Sequence, residues 1–370
     1  MEKLLTDVCK IQYGYPFDSS KFSSESGVPV IRFRDVVRGY SETYTTEEYT
    51  EEYIVNDGDM LVGMDGEFNI GKWNGGIALL NQRVCRLFPT SEIDANYLFY
   101  FMPLILKRIE DATPFATVKH LSAKQLNKIL VPLPSKEEQT VIANTFVLLD
   151  NLIGDTKKQL EKLDLLVKSR FIELFGDYDL SHTNSEWKPI SEIGKVVGGA
   201  TPKTNVEAYW DGEYRWITPA ELSADSGYIY DSARKLTKAG VDSCSLQEMP
   251  IDTVILSSRA PIGKVAIAGN TFYCNQGFKN IICSKDILSR YLYTVLLLNT
   301  EYLNSLGRGA TFKEISKSIV ENIKIPVPPI DQQNEFAKFV EQTDKLKFEI
   351  KEALEKLETL KKSLMQQYFG

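Results

Sequence analysis

Histidine is almost missing from this chain, with two residues in 370, His120 and His182. Chemistry that relays protons through imidazole, or grips a metal with it, has little to work with. The five cysteines, Cys9, Cys85, Cys244, Cys274 and Cys283, are scattered and never form a Cys-x-x-Cys pair. That spacing argues against a zinc site or a disulfide framework and fits a reducing cytoplasm. No apolar run approaches the roughly 18–20 residues a membrane helix needs. The start, Met1 to Asp7, lacks the basic-then-apolar pattern of a secretory leader. No Gly-x-x-x-x-Gly-Lys-(Ser/Thr) phosphate loop occurs, and Gly198 to Thr204 imitates one without the glycine before lysine. Asn-Pro-Pro-(Tyr/Phe) is also absent. The sequence therefore predicts no catalytic residue, no metal ligand and no cofactor held by this chain.

Positive charge is short as well. Lys and Arg total 43 against 50 Asp and Glu, a net of −7. Residues 1–115 carry a net of −7 and residues 177–309 a net of −2. Much of the first deficit lies in a tyrosine-rich stretch from Glu42 to Asp59, read as a solvated acidic loop. Nucleic-acid binders are usually basic, because neutralising phosphates drives affinity. If DNA is the target, the chain alone binds it weakly and works beside a basic partner.

What is present is a repeat. Shifting the sequence by 194 positions lays residues 116–176 on 310–370 without a gap, with about a third of the pairs identical. Ala116-Thr117-Val118-Lys119 falls on Ala310-Thr311-Phe312-Lys313, and Val131-Pro132-Leu133-Pro134 on Ile325-Pro326-Val327-Pro328. Gln139 meets Gln333, Leu160-Glu161-Lys162-Leu163 meets Leu354-Glu355-Lys356-Leu357, and Phe175-Gly176 meets Phe369-Gly370. Each copy runs through a mixed segment, a proline-punctuated strand and a long helix.

In the first helix Ile142, Phe146, Leu149, Ile153, Thr156, Leu160, Leu163 and Val167 step by fours and threes, the seam of a coiled coil. The second shows a looser series, Leu346, Ile350, Leu354, Leu357, Leu360 and Leu364. A helix of this length, on the order of 60 Å, exceeds one globular core. The two are therefore predicted to pack antiparallel, with Leu160 and Leu163 against Leu354 and Leu357.

The segments before the helices match less closely. Asp59-Met60-Leu61-Val62 pairs with Asp252-Thr253-Val254-Ile255 as a buried strand, Ile70-Gly71-Lys72 with Ile262-Gly263-Lys264, and Asn81-Gln82-Arg83 with Asn275-Gln276-Gly277. The fold class is α+β: a pseudo-two-fold tandem repeat of two globular heads separated by two long antiparallel coiled-coil helices. The boundaries are 1–134 and 177–328 for the heads, 135–176 and 329–370 for the helices.

With these marks the sequence resembles the specificity subunit of a type I restriction–modification system, over essentially its whole length. The carrying elements are Ala-Thr-x-Lys-x-(Leu/Ile)-Ser, the Pro-x-Pro-x3-(Glu/Gln)-Gln lead into each helix, and the Leu-Glu-Lys-Leu stretches. Ala200-Thr201-Pro202-Lys203-Thr204, Tyr209-Trp210, Trp216-Ile217-Thr218-Pro219 and Ala260-Pro261-Ile262-Gly263-Lys264 add to the likeness in the second head. The first head departs from it, with Tyr13-Gly14-Tyr15-Pro16 and Val30-Ile31-Arg32-Phe33-Arg34 in place of two of these.

The resemblance implies two target recognition domains reading unlike halves of a bipartite double-stranded DNA site, whose gap the helices set. It implies two docked methyltransferase (modification) subunits that supply the S-adenosylmethionine site. Nuclease/translocase (restriction) subunits can join them.

Candidate DNA contacts follow from side-chain chemistry, since Arg and Lys read guanine, Asn and Gln read adenine, and Lys, Ser and Thr hold phosphates. In the first head they are Arg32, Arg34, Lys72, Asn81, Gln82 and Arg83. In the second they are Thr201, Lys203, Thr204, Arg259, Lys264, Asn275, Gln276 and Lys279. Thr117 and Lys119, with their repeats Thr311 and Lys313, suit phosphate positioning common to both heads. Asn81 and Asn275 fit side-chain caps on turns equally well, and Trp210, Trp216 and Tyr209 read as core. His120 is replaced by Glu314 in the other copy, so no mechanism shared by both heads can use it. The competing reading is a non-catalytic coiled-coil scaffold joining two protein partners.

Overall fold

The structure, a computed structural model, describes residues 1–114, 119–176, 178–182, 184, 186–222, 227–244, 246–309 and 313–370. Thr117 and Thr311 lie outside the described residues. The chain forms two compact units that cut across the order of its segments. The first comprises Met1–Gln159 with Ile350–Gly370, and the second Leu160–Glu349. Each unit thus holds one head, half of one long helix and half of the other.

In the first unit, strands Cys9–Tyr13, Val84–Pro89, Met60–Gly63 and Asn69–Lys72 lie side by side in that order, all antiparallel. Met60–Gly63 is buried throughout, which its unbroken apolar run dictates. A second sheet carries Phe22–Ser23, Tyr44–Thr45, Val28–Ile31, Ala78–Leu80 and Ile54–Val55. Helix Ala95–Ala112 starts where the Asp94 carboxylate accepts the N–H groups of Asn96 and Tyr97, at 2.8 and 3.0 Å.

The acidic stretch keeps most of its carboxylates in solvent, as expected, but two short strands frame it. Tyr44–Thr45 and Ile54–Val55 are strands of that second sheet. The buried Arg86 guanidinium ties down the stretch's end, donating to Asp59 Oδ2 (2.7 Å) and to the carbonyls of Ile54 (2.7 Å) and Glu52 (3.0 Å). Glu42, Glu48, Glu51 and Glu52 remain exposed.

In the second unit the order is Gly194–Gly198, Lys279–Cys283, Val254–Leu256, Val265–Ala268 and Tyr228–Ile229. The first four of these follow the topology of the first head's sheet. This layout corrects one sequence match. Ile70-Gly71-Lys72 belongs to a strand, whereas Ile262-Gly263-Lys264 precedes one, in a turn where Gly263 takes φ +89°. The Asn69–Lys72 strand corresponds to Val265–Ala268, and only the turn's short peptide resembled it. A smaller sheet holds Arg234–Leu236, Trp210–Ile217 and Tyr273–Cys274, with Trp210 and Trp216 buried against Leu236 and Val241.

The long helices are Lys136–Phe175 and Ile330–Phe369. A reciprocal cap opens the first: Ser135 N–H donates to Glu138 Oε2 (2.9 Å), and Glu138 N–H to Ser135 Oγ (3.2 Å). In the first unit Asp150 pairs with Lys361 and Lys157 with Glu358; in the second, Asp164 pairs with Lys347 and Arg170 with Glu335. Partner numbers fall as helix numbers rise, so the helices run antiparallel within each unit.

The second helix's seam differs from the expected series. Leu346 and Leu360 are exposed, while Phe336, Val340, Thr343, Lys347, Ile350, Leu354, Leu357, Lys361 and Leu364 are buried or half-buried. That series steps by fours and threes without a break. Lys347 and Lys361, being charged, do not register in an apolar pattern; their alkyl stems lie in the seam while their ammonium groups reach Asp164 and Asp150. Leu160 and Leu163 are half-buried in the second unit, and Leu354 and Leu357 in the first, where Leu357 packs on the head's core. Among the described residues no helix is long and apolar enough to cross a membrane.

Candidate nucleic-acid interface

Each head presents a turn built the same way. In the first, Gly14 follows strand Cys9–Tyr13 and packs on the Asn81 backbone; a Cβ there would fall 2.2 Å from the Asn81 carbonyl oxygen. In the second, a Cβ on Gly199 would fall 2.1 Å from the Asn275 oxygen. Only glycine allows this approach. The asparagines then cap their turns: Asn81 Oδ1 accepts the N–H of Gln82 (2.8 Å), and Asn275 Oδ1 that of Gly277 (2.9 Å). Their side-chain oxygens are engaged in the fold, and it is Gln82 and Gln276 that are exposed.

Around the first turn lies a depression of about 610 Å³ that brings together Arg32, Asn81, Gln82 and Arg83, with Asp65, Glu42, Phe17 and Phe33 also on its wall. The other first-head candidates are not on this wall. Arg34 is exposed beside the short helix Asp35–Arg38. Lys72 donates to Asn96 Oδ1 (2.6 Å) and lies over the Phe99 ring. Lys119 donates to the Glu110 carbonyl (2.7 Å), at the end of helix Ala95–Ala112.

Asp65 and His120, which side-chain chemistry alone does not single out as DNA contacts, join Arg83 at the depression. The carboxylate of Asp65 meets Arg83 Nε at 3.2 Å and His120 Nδ1 at 2.7 Å. The mismatch of His120 with Glu314 between the copies was the available signal.

In the second head, Thr201 Oγ1 donates to Gln276 Oε1. Lys203, Thr204 and Lys313 are exposed. Trp216 and Trp210 donate their indole N–H groups to the carbonyls of Ala200 (3.1 Å) and Lys203 (3.3 Å), so the tryptophans hold this loop from beneath. Lys264 is taken up by the Leu222 carbonyl at 2.8 Å. Arg259 and Lys279 converge on the carboxylate of Glu314, at 3.0 and 3.1 Å. Burial raises the Glu314 pKa, but hydrogen bonds from Lys279 and Arg259 outweigh it and hold the carboxyl below its ordinary range.

The family described as the type I restriction modification DNA specificity domain matches residues 1–164 and 184–362. The chain belongs to this family. Its role is therefore DNA specificity in type I restriction–modification. Among its relatives is the Methanocaldococcus jannaschii type I restriction enzyme MjaIX specificity subunit, 39% identical over 210 residues. That match takes in 55% of this chain and 48% of the relative, so the chain spans about half of that protein's length. The Escherichia coli EcoBI specificity subunit is 25% identical over 410 residues, covering 99% of this chain and 84% of the relative.

Two solved structures share the fold at 16% identity. One is the S subunit of a type I restriction–modification system from M. genitalium, with TM-score 0.59 over 100% of this chain and 96% of that one. The other comes from work on complex assembly and conformational transition of the type I R-M system, with TM-score 0.62 over 100% and 97%.

Proposed function

We propose that the two heads each read one half of a bipartite double-stranded DNA site, and that the helices dock two methyltransferase (modification) subunits. In this reading the chain is non-catalytic. The docked subunits hold S-adenosylmethionine and carry out methylation, and nuclease/translocase (restriction) subunits join the assembly. For the heads, the support is a common scaffold with unlike side chains at the same turn: Gln82-Arg83 in one, Gln276-Gly277 in the other.

The observation that carries the docking is a repeat within the helices. Leu152 and Leu346 are 194 positions apart, as are Leu166 and Leu360, and they are 44%, 50%, 47% and 47% exposed. The first unit holds Leu152 and Leu360, and the second Leu166 and Leu346. Apolar side chains kept in water at the same places in both copies favour two copies of one partner.

A gel shift with cognate DNA tests the reading. The chain with modification subunits should retain its own site over a scrambled one by about a thousandfold or more, while the chain alone binds weakly. Sequence-blind retention by the full complex would favour the scaffold instead.

A further inference from the structure

Both heads hold an arginine by the same atom, though the acid that holds it has changed strands. Residues 65 and 120 face each other in an isolated antiparallel bridge, and so do 259 and 314. Both members shift by the same 194 positions as the helices. The first head has Asp65 facing His120, and the second has Arg259 facing Glu314. In the first, Arg83 Nε lies 3.2 Å from Asp65 Oδ2. In the second, Arg259 Nε donates to Glu314 Oε2 at 3.0 Å.

Each acid also gathers a second group. His120 Nδ1 lies 2.7 Å from Asp65 Oδ1 and 3.3 Å from Arg83 Nη1, while Lys279 Nζ donates to Glu314 Oε1 at 3.1 Å. The arginine side chains stay 47% and 46% exposed.

Exposed ion pairs add little to stability. Stability therefore does not account for an Nε–carboxylate contact made in both heads from exchanged positions. What the contact does is geometric. A guanidinium tied through Nε loses its rotational freedom before any ligand arrives. Its terminal amino groups form the fork that matches guanine O6 and N7 in the major groove. Arg83 also stands on the wall of the depression beside Gln82 and Arg32.

We propose that Arg83 and Arg259 are the specificity-determining arginines of the two heads, each reading a guanine, and that Asp65 and Glu314 are positioning residues that aim them. This inference rests on the DNA-reading function proposed above.

The test uses the full chain assembled with its modification subunits, and measures binding to the cognate site against every single base-pair change in it. Asp65→Asn should lower discrimination about tenfold or more at one G·C pair of the half-site read by the first head. The other half-site should keep its discrimination, and Asp65→Glu should restore part of the loss. Arg83→Lys, which keeps the charge and loses the fork, should affect the same pair, and serves if Asp65→Asn does not fold. A loss spread evenly over all positions, or no loss, would overturn the assignment. So would the absence of a G·C pair from that half-site. Exchanging residues 1–114 for another head separates the two claims. If the exchange leaves the recognised sequence unchanged, DNA reading by the head itself fails. If it changes one half and Asp65→Asn changes nothing, only the arginine assignment fails.

Discussion

The side-chain oxygen of Gln139 accepts the backbone N–H of Asp94 at 2.8 Å. Its amide nitrogen donates to the carbonyls of Pro134 (3.0 Å) and Glu92 (3.5 Å). Gln333 repeats the pattern in the second unit, accepting from Leu288 N–H (2.8 Å) and donating to Pro328 (2.8 Å) and Asp286 (3.1 Å). Both glutamines are almost wholly buried. Each one joins the start of a long helix to the start of its head's own helix. Replacing Gln139 or Gln333 by Leu strips these part-buried backbone groups of their partners. The expected loss is about 1–3 kcal/mol, read as a lower urea midpoint for the unit concerned. A midpoint within error of the parent protein would show that the amides do not couple head to helix.

Phe369, near the far end of the chain, sits in the first unit's core, with its ring centre 5.8 Å from that of Phe146 and 5.4 Å from Tyr97. Its repeat mate Phe175 packs against Phe171, Tyr291 and Phe336 in the second unit. Phe369→Ala should cost about 3–5 kcal/mol, and hydrogen exchange should show the loss in Ala95–Ala112 and not in Ser289–Leu298. Phe175→Ala should do the reverse. Equal loss of protection in both helices would mean that the units do not unfold separately.

The exposed leucines make a stoichiometric prediction. Leu152→Lys with Leu360→Lys alters the first unit alone, and surface changes of this kind usually move stability by less than about 0.5 kcal/mol. Native mass spectrometry should then find one modification subunit per chain in place of two. Adding Leu166→Lys and Leu346→Lys should leave none. Two retained subunits in the fourfold variant would refute docking at these positions.

The cysteines should react unequally. Burial pushes the thiols of Cys9 and Cys283 up to about 11 and that of Cys274 to about 12, and raises Cys85 further still. Thiolate is the nucleophile, so at pH 8 these four should resist iodoacetamide while the fold holds. Cys244, outside the cores and partly exposed, should be labelled first. Peptide mapping that found Cys85 or Cys274 modified as fast as Cys244 would contradict their burial.

The helices were legible because their signal is periodic and local: fours and threes, a proline before each, an acid in the first turn. Legibility ends where a charged side chain takes an apolar position: Lys347 and Lys361 occupy the seam without an apolar signal, and Leu346 and Leu360 carry the signal while lying outside it. The glycine–asparagine turn left readable traces in Asn81-Gln82 and Asn275-Gln276, since both copies keep the cap. Asp65, His120 and Glu314 were not legible as a network. Their partners lie as much as 55 residues apart in the chain, and the swap of acid between strands removes the residue-by-residue match on which repeat detection depends. Residue type and repeat matching single out Lys72, Lys119 and Lys264, and only their carbonyl, amide and ring partners show that each is already engaged.

That swap also restricts how the two halves of the gene can recombine with each other. A crossover falling between the codons for residues 65 and 120, at the matching point of the second copy, would bring Asp65 opposite the acid of position 314. The reciprocal product would set Arg259 beside the His120 strand with no carboxylate to meet it. Crossovers within the long-helix segments avoid both outcomes, because positions 65 and 120, or 259 and 314, then travel together. New specificities should therefore arise by exchange of whole heads, and hybrid heads should be rare among natural variants.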